Sequence, residues 1–375
     1  MSLVINIFGD FKCDSVSSLE VGSPLKEILA QGDINVLNFE APVKVEGSSL
    51  TPKCGPSLFQ DPEAPVFLEK LGFDFVSLAN NHMGDFGQKA LIRMVGAFSC
   101  SGGAGNWDDA YKVKTIKVGD RTVGFLCLSH HEFSVLYERS LSPEAVGVAW
   151  MLHPCVDELI SKAHSVCDFL IVLPHAGVEG ADQPLPQIRS LYRHWVEMGA
   201  DAVVASHPHI VQPWEEWKGK PIFYSLGNFC FDLPGSADWP FWGNGLIASL
   251  SFGDDMSVKV SVCHSFYDPD SGVLTAGNVD QNALDRFHRI MDEFSDESRY
   301  LENVRATAAS FEKSFEKSVF MAGYRKMNLK NSLKGIARWI LGRKVGTDFN
   351  PLLDDLTCES HRWAAEILLK EKVSG

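Results

Sequence analysis

The 375-residue sequence predicts an α/β protein with largely parallel strands, and three observations carry that reading. Short apolar runs alternate with helical patterns from residue 3 to about 210. Polar side chains able to bind a metal recur just past those runs. After residue 210 the pattern changes to alternating paired strands, and from about 281 to helix.

In chain order, the first apolar run is Leu3 to Phe8, ending in Gly9-Asp10. The second, Ile34 to Phe39, carries Asn38 near its end and is followed by Glu40. Residues 65–71 read as a short helix. A third strand, Phe73 to Ala79, runs into Asn80-Asn81-His82. Asp85 is placed to cap the next helix, whose stripe Ala90, Leu91, Met94, Val95 and Phe98 has helical spacing. Glycine-rich Ser101 to Gly105 closes that unit.

Thr122 to Ser129 reads as a strand leading into His130-His131, and residues 157–163 as a helix. Asp168 to Leu173 is a strand that leads into Pro174-His175-Ala176-Gly177-Val178-Glu179. A helix over Pro186 to Met198 precedes the buried run Ala200 to Ala205, which ends in Ser206-His207-Pro208-His209. Pro208 biases His207 toward extended backbone. Residues i and i+2 of an extended stretch point to one side, so two imidazoles are expected to face one point. Alone, such a pair reads more simply as two loop histidines bonded to backbone. It is not alone: Asp10, Glu40, Asn81, His82, His175 and His207 each fall just past a predicted strand. Parallel α/β sheets bind ligands at that end, so the set predicts a shared metal site.

Further on, Pro221 to Leu226 reads as a strand entered through the turn Lys218-Gly219-Lys220. Gly245 to Phe252 and Ser257 to Tyr267 form a hairpin around Gly253-Asp254-Asp255. Residues 282–309 are an acidic amphipathic helix, and 311–345 carry nine Lys and Arg around a stripe from Leu333 to Leu341. That basic stretch reads as a docked helix with a solvated face, or as a surface for anionic membrane or polyanion. The expected division is a main domain over 1–280 and a helical C-terminal extension over 281–375.

A net charge of −14 argues against general binding to nucleic acid or anionic membrane. No apolar run reaches the length of a membrane span, and no secretory signal is visible. Nine cysteines without a C-x-x-C pair read as reduced core thiols, which leads us to expect a cytoplasmic protein. There is no Walker loop, no GxSxG and no Rossmann fingerprint, which disfavours nucleotide-driven and serine-hydrolase chemistry. A set of Asp, Glu, Asn and His ligands suits a divalent transition ion such as Mn, Zn, Fe or Ni. The number of ligands suggests two ions with a bridging carboxylate, a centre that makes hydroxide available at neutral pH. His82, next to a ligand, is then placed to protonate a leaving group.

Six motifs in order resemble the CapA family of capsule and poly-γ-glutamate biosynthesis proteins, itself similar to calcineurin-like metallophosphoesterases. They are Gly9-Asp10, Asn38-Phe39-Glu40, Leu78 to His82 with Asp85 and Gly87, His175 to Glu179, Gly199-Ala200-Asp201 through His209, and Tyr224 to Phe229. The resemblance covers roughly residues 3–268. It implies a four-layer α/β/β/α sandwich with metal held by loops at one end. It also implies one ion on Asp10, Glu40 and His209, and another on Glu40, Asn81, His175 and His207. His82 would match the acid histidine of the phosphoesterase Asn-His motif. Asn38, Asn80, Glu179, Gln212 and Asn228 would face the substrate or back the ligands. His130 and His131 have no family role; they are either substrate contacts or packed rings.

Two departures stand out. Lys12 occupies the third position of the phosphoesterase Asp-x-His motif, which thins the ligand set of the first ion. Glu40 stands where phosphoesterases use a bridging Asp. If only one ion binds, His209 is expected to be the less firmly held partner. Family members in capsule synthesis often carry an N-terminal membrane anchor, and none is visible here.

The resemblance implies a metal-dependent hydrolase acting on a phosphoester or a glutamyl amide in capsule, poly-γ-glutamate or exopolysaccharide biosynthesis. The alternative is a non-catalytic component of the capsule-assembly machinery that binds an anionic polymer through the metal site. A third reading is a degenerate scaffold with an empty site.

Overall fold

The computed structural model describes residues 2–53, 55–140, 142–233, 239–255, 257–277, 280–321 and 357–374. Most of the described chain folds around two sheets. The first has nine strands. Its path runs Glu20–Val21, Val273–Ala276, Val258–Asp268, Asn244–Phe252, Leu3–Lys12, Ile34–Phe39, Phe75–Ser77, Ser101–Gly102, with Asn228–Phe231 also paired to Leu3–Lys12. The second has six, in the order Trp214–Trp217, Lys220–Phe223, Ala202–Val204, Phe169–His175, Arg121–Ser129, Lys114–Val118. Its four inner strands are parallel and both edges antiparallel.

The inner strands explain their own position. Ile34–Phe39 and Phe169–His175 are buried along their whole length, as expected for parallel strands covered on both faces. Ile5, Ile7, Val36 and Phe75 of one sheet meet Phe125, Ile171, Val204 and Phe223 of the other in one core. The Phe75 and Phe125 rings stack there with centroids 4.3 Å apart. The outer face of the nine-stranded sheet is covered by the helices Ser23–Gln31, Ala64–Leu71 and Gly87–Val95, through Leu25, Leu29, Leu68, Leu91 and Met94. The outer face of the six-stranded sheet is covered by Cys155–Lys162 and Pro186–Met198, through Ile160, Ile188, Tyr192 and Trp195. This is the four-layer α/β/β/α sandwich.

The C-terminal helices Gln281–Ser295 and Glu297–Met321 add Phe294, Tyr300 and Val304 to the core that holds Trp195. Arg286 donates to the Val211 carbonyl at 3.0 Å and to Asp182 Oδ1 at 2.5 Å. A last helix, Glu359–Ser374, follows. Most of the basic stretch lies in 322–356, outside the described residues. No helix of the described residues is long and apolar enough to cross a membrane.

Three local features differ from the sequence reading. The first strand does not stop before Asp10 but continues to Lys12, with its register shifting on both sides of Asp10. It gains a parallel neighbour, Asn228–Phe231, whose approach requires Gly9: a Cβ there would lie 1.8 Å from the Gly227 carbonyl oxygen. Asp85 caps no helix. Gly87–Val95 begins after Phe86 without a side-chain cap, because the Asp85 carboxylate is committed to His82 and to the Leu58 N–H. Finally, His207 is not extended. It has φ 103° and His209 has φ 60°, both in the region that disfavours non-glycine residues. Such strain costs on the order of 1–3 kcal/mol per residue and persists only where the surroundings enforce it.

Candidate metal centre

The strand ends bring the expected residues to one buried spot. Asp10, Glu40 and His175 each offer a ligand atom, all within 4.8 Å of one another. His175, the last residue of its strand, organises the group. Its Nε2 lies 3.0 Å from Asn81 Oδ1, 3.0 Å from His207 Nδ1 and 3.5 Å from Glu40 Oε1. A single imidazole N–H can satisfy only one of these acceptors. Glu40 Oε1 is buried without any hydrogen bond, a costly state for a carboxylate oxygen unless a cation compensates it. Ligand atoms about 2.1 Å from a common ion stand roughly 3.0–3.4 Å apart. The Nε2 separations match that spacing, so the residues present fit a divalent ion.

The surrounding bonds orient the donors. His175 Nδ1 contacts Ser206 Oγ at 3.0 Å, which leaves Nε2 for the cluster. Asn38 donates through Nδ2 to Asp10 Oδ1 at 2.7 Å and to Glu40 Oε2 at 2.6 Å, holding the two carboxylates side by side. Asn80 in turn donates to Asn38 Oδ1 at 3.2 Å and to the Phe39 carbonyl at 2.8 Å. Asp10 Oδ2 accepts the His207 N–H at 3.2 Å and lies 3.4 Å from His209 Nδ1. The other partner of His209 Nδ1 is Asn228 Oδ1 at 3.0 Å.

Protonation follows from these contacts. Burial, with neighbouring histidines, pushes His175 down to about 3 and His207 well below the usual imidazole value. Both are therefore neutral, the form in which imidazole binds metal. Burial, reinforced by Asp10, pushes Glu40 well above the ordinary carboxylate range. Burial opposes the shifts of Asp10 and His209, yet their mutual contact prevails: Asp10 is lowered and His209 raised.

His82 sits beside this cluster. Its Nδ1 is 2.7 Å from Asp85 Oδ2 and 3.0 Å from Lys53 Nζ, and Lys53 pairs with Asp85. The Asn80 Oδ1 accepts the His82 backbone N–H at 3.2 Å. A buried carboxylate that holds one imidazole nitrogen orients the ring for proton transfer at the other.

Other residues singled out in the sequence are not among these donors. The Lys12 ammonium turns to Asp14, 2.8 Å away, and to the Asp232 carbonyl. Gln212 donates to the Ala181 carbonyl at 2.8 Å, bracing a loop. Glu179 is exposed, although its charge reaches Glu40 and His209. His130 turns its nitrogens to Ser360 and Glu132, and His131 Nδ1 contacts the Thr357 carbonyl at 3.1 Å. Ser206 and Lys53 were missed. Ser206 adjoins the two-histidine motif and could have been flagged, whereas nothing in the sequence around Lys53 points to His82.

Residues 12–233 match the family model for the bacterial capsule synthesis protein PGA_cap. The chain is 30% identical over 217 residues to the PGA biosynthesis protein CapA of Bacillus subtilis, spanning 56% of each chain. It is 32% identical over 206 residues to the capsule biosynthesis protein CapA of Bacillus anthracis, spanning 52% of this chain and 49% of that one. The chain thus spans about half the length of the curated relatives it matches. Among solved structures it is similar to the NAD nucleotidase of Haemophilus influenzae, at 10% identity and a TM-score of 0.40, covering 84% of this chain and 68% of that one.

Proposed function

The chain belongs to the bacterial capsule synthesis family PGA_cap, and from that premise we propose that it is a metal-dependent hydrolase acting on a phosphoester or a glutamyl amide in capsule or poly-γ-glutamate metabolism. The observation that carries this is the crowding of Asn81 Oδ1, His175 Nε2, His207 Nδ1 and the unbonded Glu40 Oε1 beside the His82–Asp85 pair. Glu40, Asn81, His175 and His207 would hold one divalent ion. Asp10 and His209, with Glu40 shared, would hold a second. When bound there, such an ion would supply Lewis acidity toward a substrate oxygen and toward the attacking water. Asn38 keeps the two carboxylates in register. His82 donates the proton to the leaving oxygen or nitrogen, with Asp85 holding its ring and Lys53 holding Asp85.

The test is to strip the protein with chelator, reload it separately with Mn, Zn, Fe or Ni, and assay phosphoesters and γ-glutamyl amides. Hydrolysis of neither class by any loaded form would sink the reading. A cytoplasmic setting belongs to the same proposal and is checked by fractionating the expressing bacterium.

A second reading has one observation in its favour. Lys12 is bonded away from the cluster and adds no ligand, which leaves the Asp10–His209 half short. A binding centre that holds an anionic polymer without cleaving it tolerates that shortage better than a two-ion hydrolase does. Polymer binding that survives His82→Ala, with no turnover in the parent protein, would favour this reading.

A further inference from the structure

A second group of ligand-type side chains lies outside the centre just described and shares no residue with it. His130 follows the strand Arg121–Ser129, and its backbone N–H donates to the His175 carbonyl at 3.0 Å. Its ring is fully buried. On one side Nδ1 is 3.1 Å from Ser360 Oγ, which accepts the Gly177 N–H at 3.2 Å. On the other side Nε2 lies 3.1 Å from Glu132 Oε1 but makes no hydrogen bond. Cys358, also buried, brings its Sγ within 4.8 Å of both His130 and Glu132.

The segment that delivers Cys358 is held firmly. Glu359 Oε2 accepts the His131 N–H at 3.1 Å, and Glu359 Oε1 accepts the Trp150 Nε1–H at 3.1 Å. The Thr357 carbonyl meets His131 Nδ1. Thus Thr357, Glu359 and Ser360 all dock on the sandwich around Cys358. The contact between Nε2 and the carboxylate sets two metal-type donors face to face at ion-pair distance. It is short, buried and not aligned as a hydrogen bond, and a thiol completes the triangle.

We propose that His130, Glu132 and Cys358 form a separate site for a thiophilic divalent ion such as zinc, which pins the C-terminal segment to the sandwich. Nitrogen, oxygen and sulfur donors on three residues are a zinc-type set with one position left open. Ligand atoms about 2.0–2.3 Å from a common ion stand roughly 3.0–3.6 Å apart. Nε2 and Glu132 Oε1 already have that spacing at 3.1 Å, and Cys358 Sγ, within 4.8 Å of both, has a short distance to close. On binding, the Cys358 thiol releases its proton to solvent and ligates as thiolate. Ser360 Oγ orients the His130 ring in the manner of an outer partner of a metal-bound histidine. The His130 ring packs on His207 with centroids 4.4 Å apart, so the pin would also brace one wall of the other centre. The inference does not rest on the hydrolase reading.

The experiment uses the full chain, stripped and reloaded with cobalt(II) alone. Thiolate-bound cobalt gives an intense charge-transfer band in the near ultraviolet, which a centre of histidine, carboxylate and asparagine cannot give. The wild type should show the band. Cys358→Ser should abolish it and, in zinc-loaded protein, lose about one equivalent of metal per chain, keeping the remainder. Cys358→His should lose the band yet keep that equivalent, which guards against a misfolded serine variant. A wild type that binds cobalt without the band, one that binds no cobalt, or a band that survives in Cys358→Ser would overturn the proposal.

Discussion

His207 and His209 flank one proline and end in opposite electrostatic states. His207 meets His175 ring to ring and is held neutral by burial and by the histidines around it. His209 meets a carboxylate, and that contact raises its pKa in spite of burial. The first half of the centre is therefore a stack of acceptors with no positive charge among them. The second half has already supplied its own, since both Asp10 oxygens have partners. A cation gains most where no charge compensates the acceptors. The His207 half is therefore expected to bind the tighter ion, and the His209 half to release an imidazolium–carboxylate contact before it binds one.

The largest test of that contrast is metal content. His175→Ala or His207→Ala should weaken binding at least about 100-fold, beyond what loss of an outer-shell partner costs. His209→Ala should leave the tighter ion in place. Elemental analysis of the purified variants decides it, and equal losses from His207→Ala and His209→Ala would break the comparison. Next comes turnover. His82→Ala should lower kcat by roughly 10²–10⁴-fold, as expected for a missing general acid, with metal content unchanged. Asp85→Asn should cost less, about 10–100-fold, because the ring remains but loses its anchor. Steady-state kinetics beside metal analysis separates the two effects. Turnover unaffected by His82→Ala would remove that residue from the mechanism.

The sequence already led to the expectation that His209 is the less firmly held partner, but the electrostatic cause, an imidazole beside a carboxylate against one beside other imidazoles, was not visible there. Strand-to-polar transitions at Glu40, Asn81 and His175 are local patterns, so the places where side chains converge could be read directly. The layers were readable for the same reason: Ile34–Phe39 is apolar at four of its six positions and buried at all six, because it is covered on both faces. The backbone at His207 was misread because the proline rule describes an unconstrained chain. Here the loop is fixed by long-range contacts: the Pro208 carbonyl accepts the Gly180 N–H at 2.9 Å, and the His207 N–H is taken by Asp10. Asp85 was assigned to a cap because its neighbours in sequence are a helix, whereas its partners in space are His82 and Lys53. Cys358 and Ser360 lie more than 220 residues from His130, and no local pattern reports a meeting at that distance.

The smallest predicted effect tests whether the His209 half also depends on the C-terminal helix. Arg286 reaches from the helix Gln281–Ser295 to the Val211 carbonyl, two residues beyond His209, and is itself held by Asp182. Burial would raise the Asp182 pKa, but Arg286 and then Arg289 lower it overall. A depressed carboxylate stabilises the fold above its unfolded pKa, about 3.9, and that contribution is lost as pH falls through the folded value. Asp182→Asn should therefore cost roughly 1–3 kcal/mol at neutral pH. The difference from wild type should shrink to nothing in acid, once Asp182 is protonated in both states. Urea unfolding at neutral and acidic pH measures this. Metal titration of the same variant should show weaker binding in the His209 half alone. A matching loss in the His207 half would mean that the two histidines share one support, and that their difference is electrostatic rather than architectural.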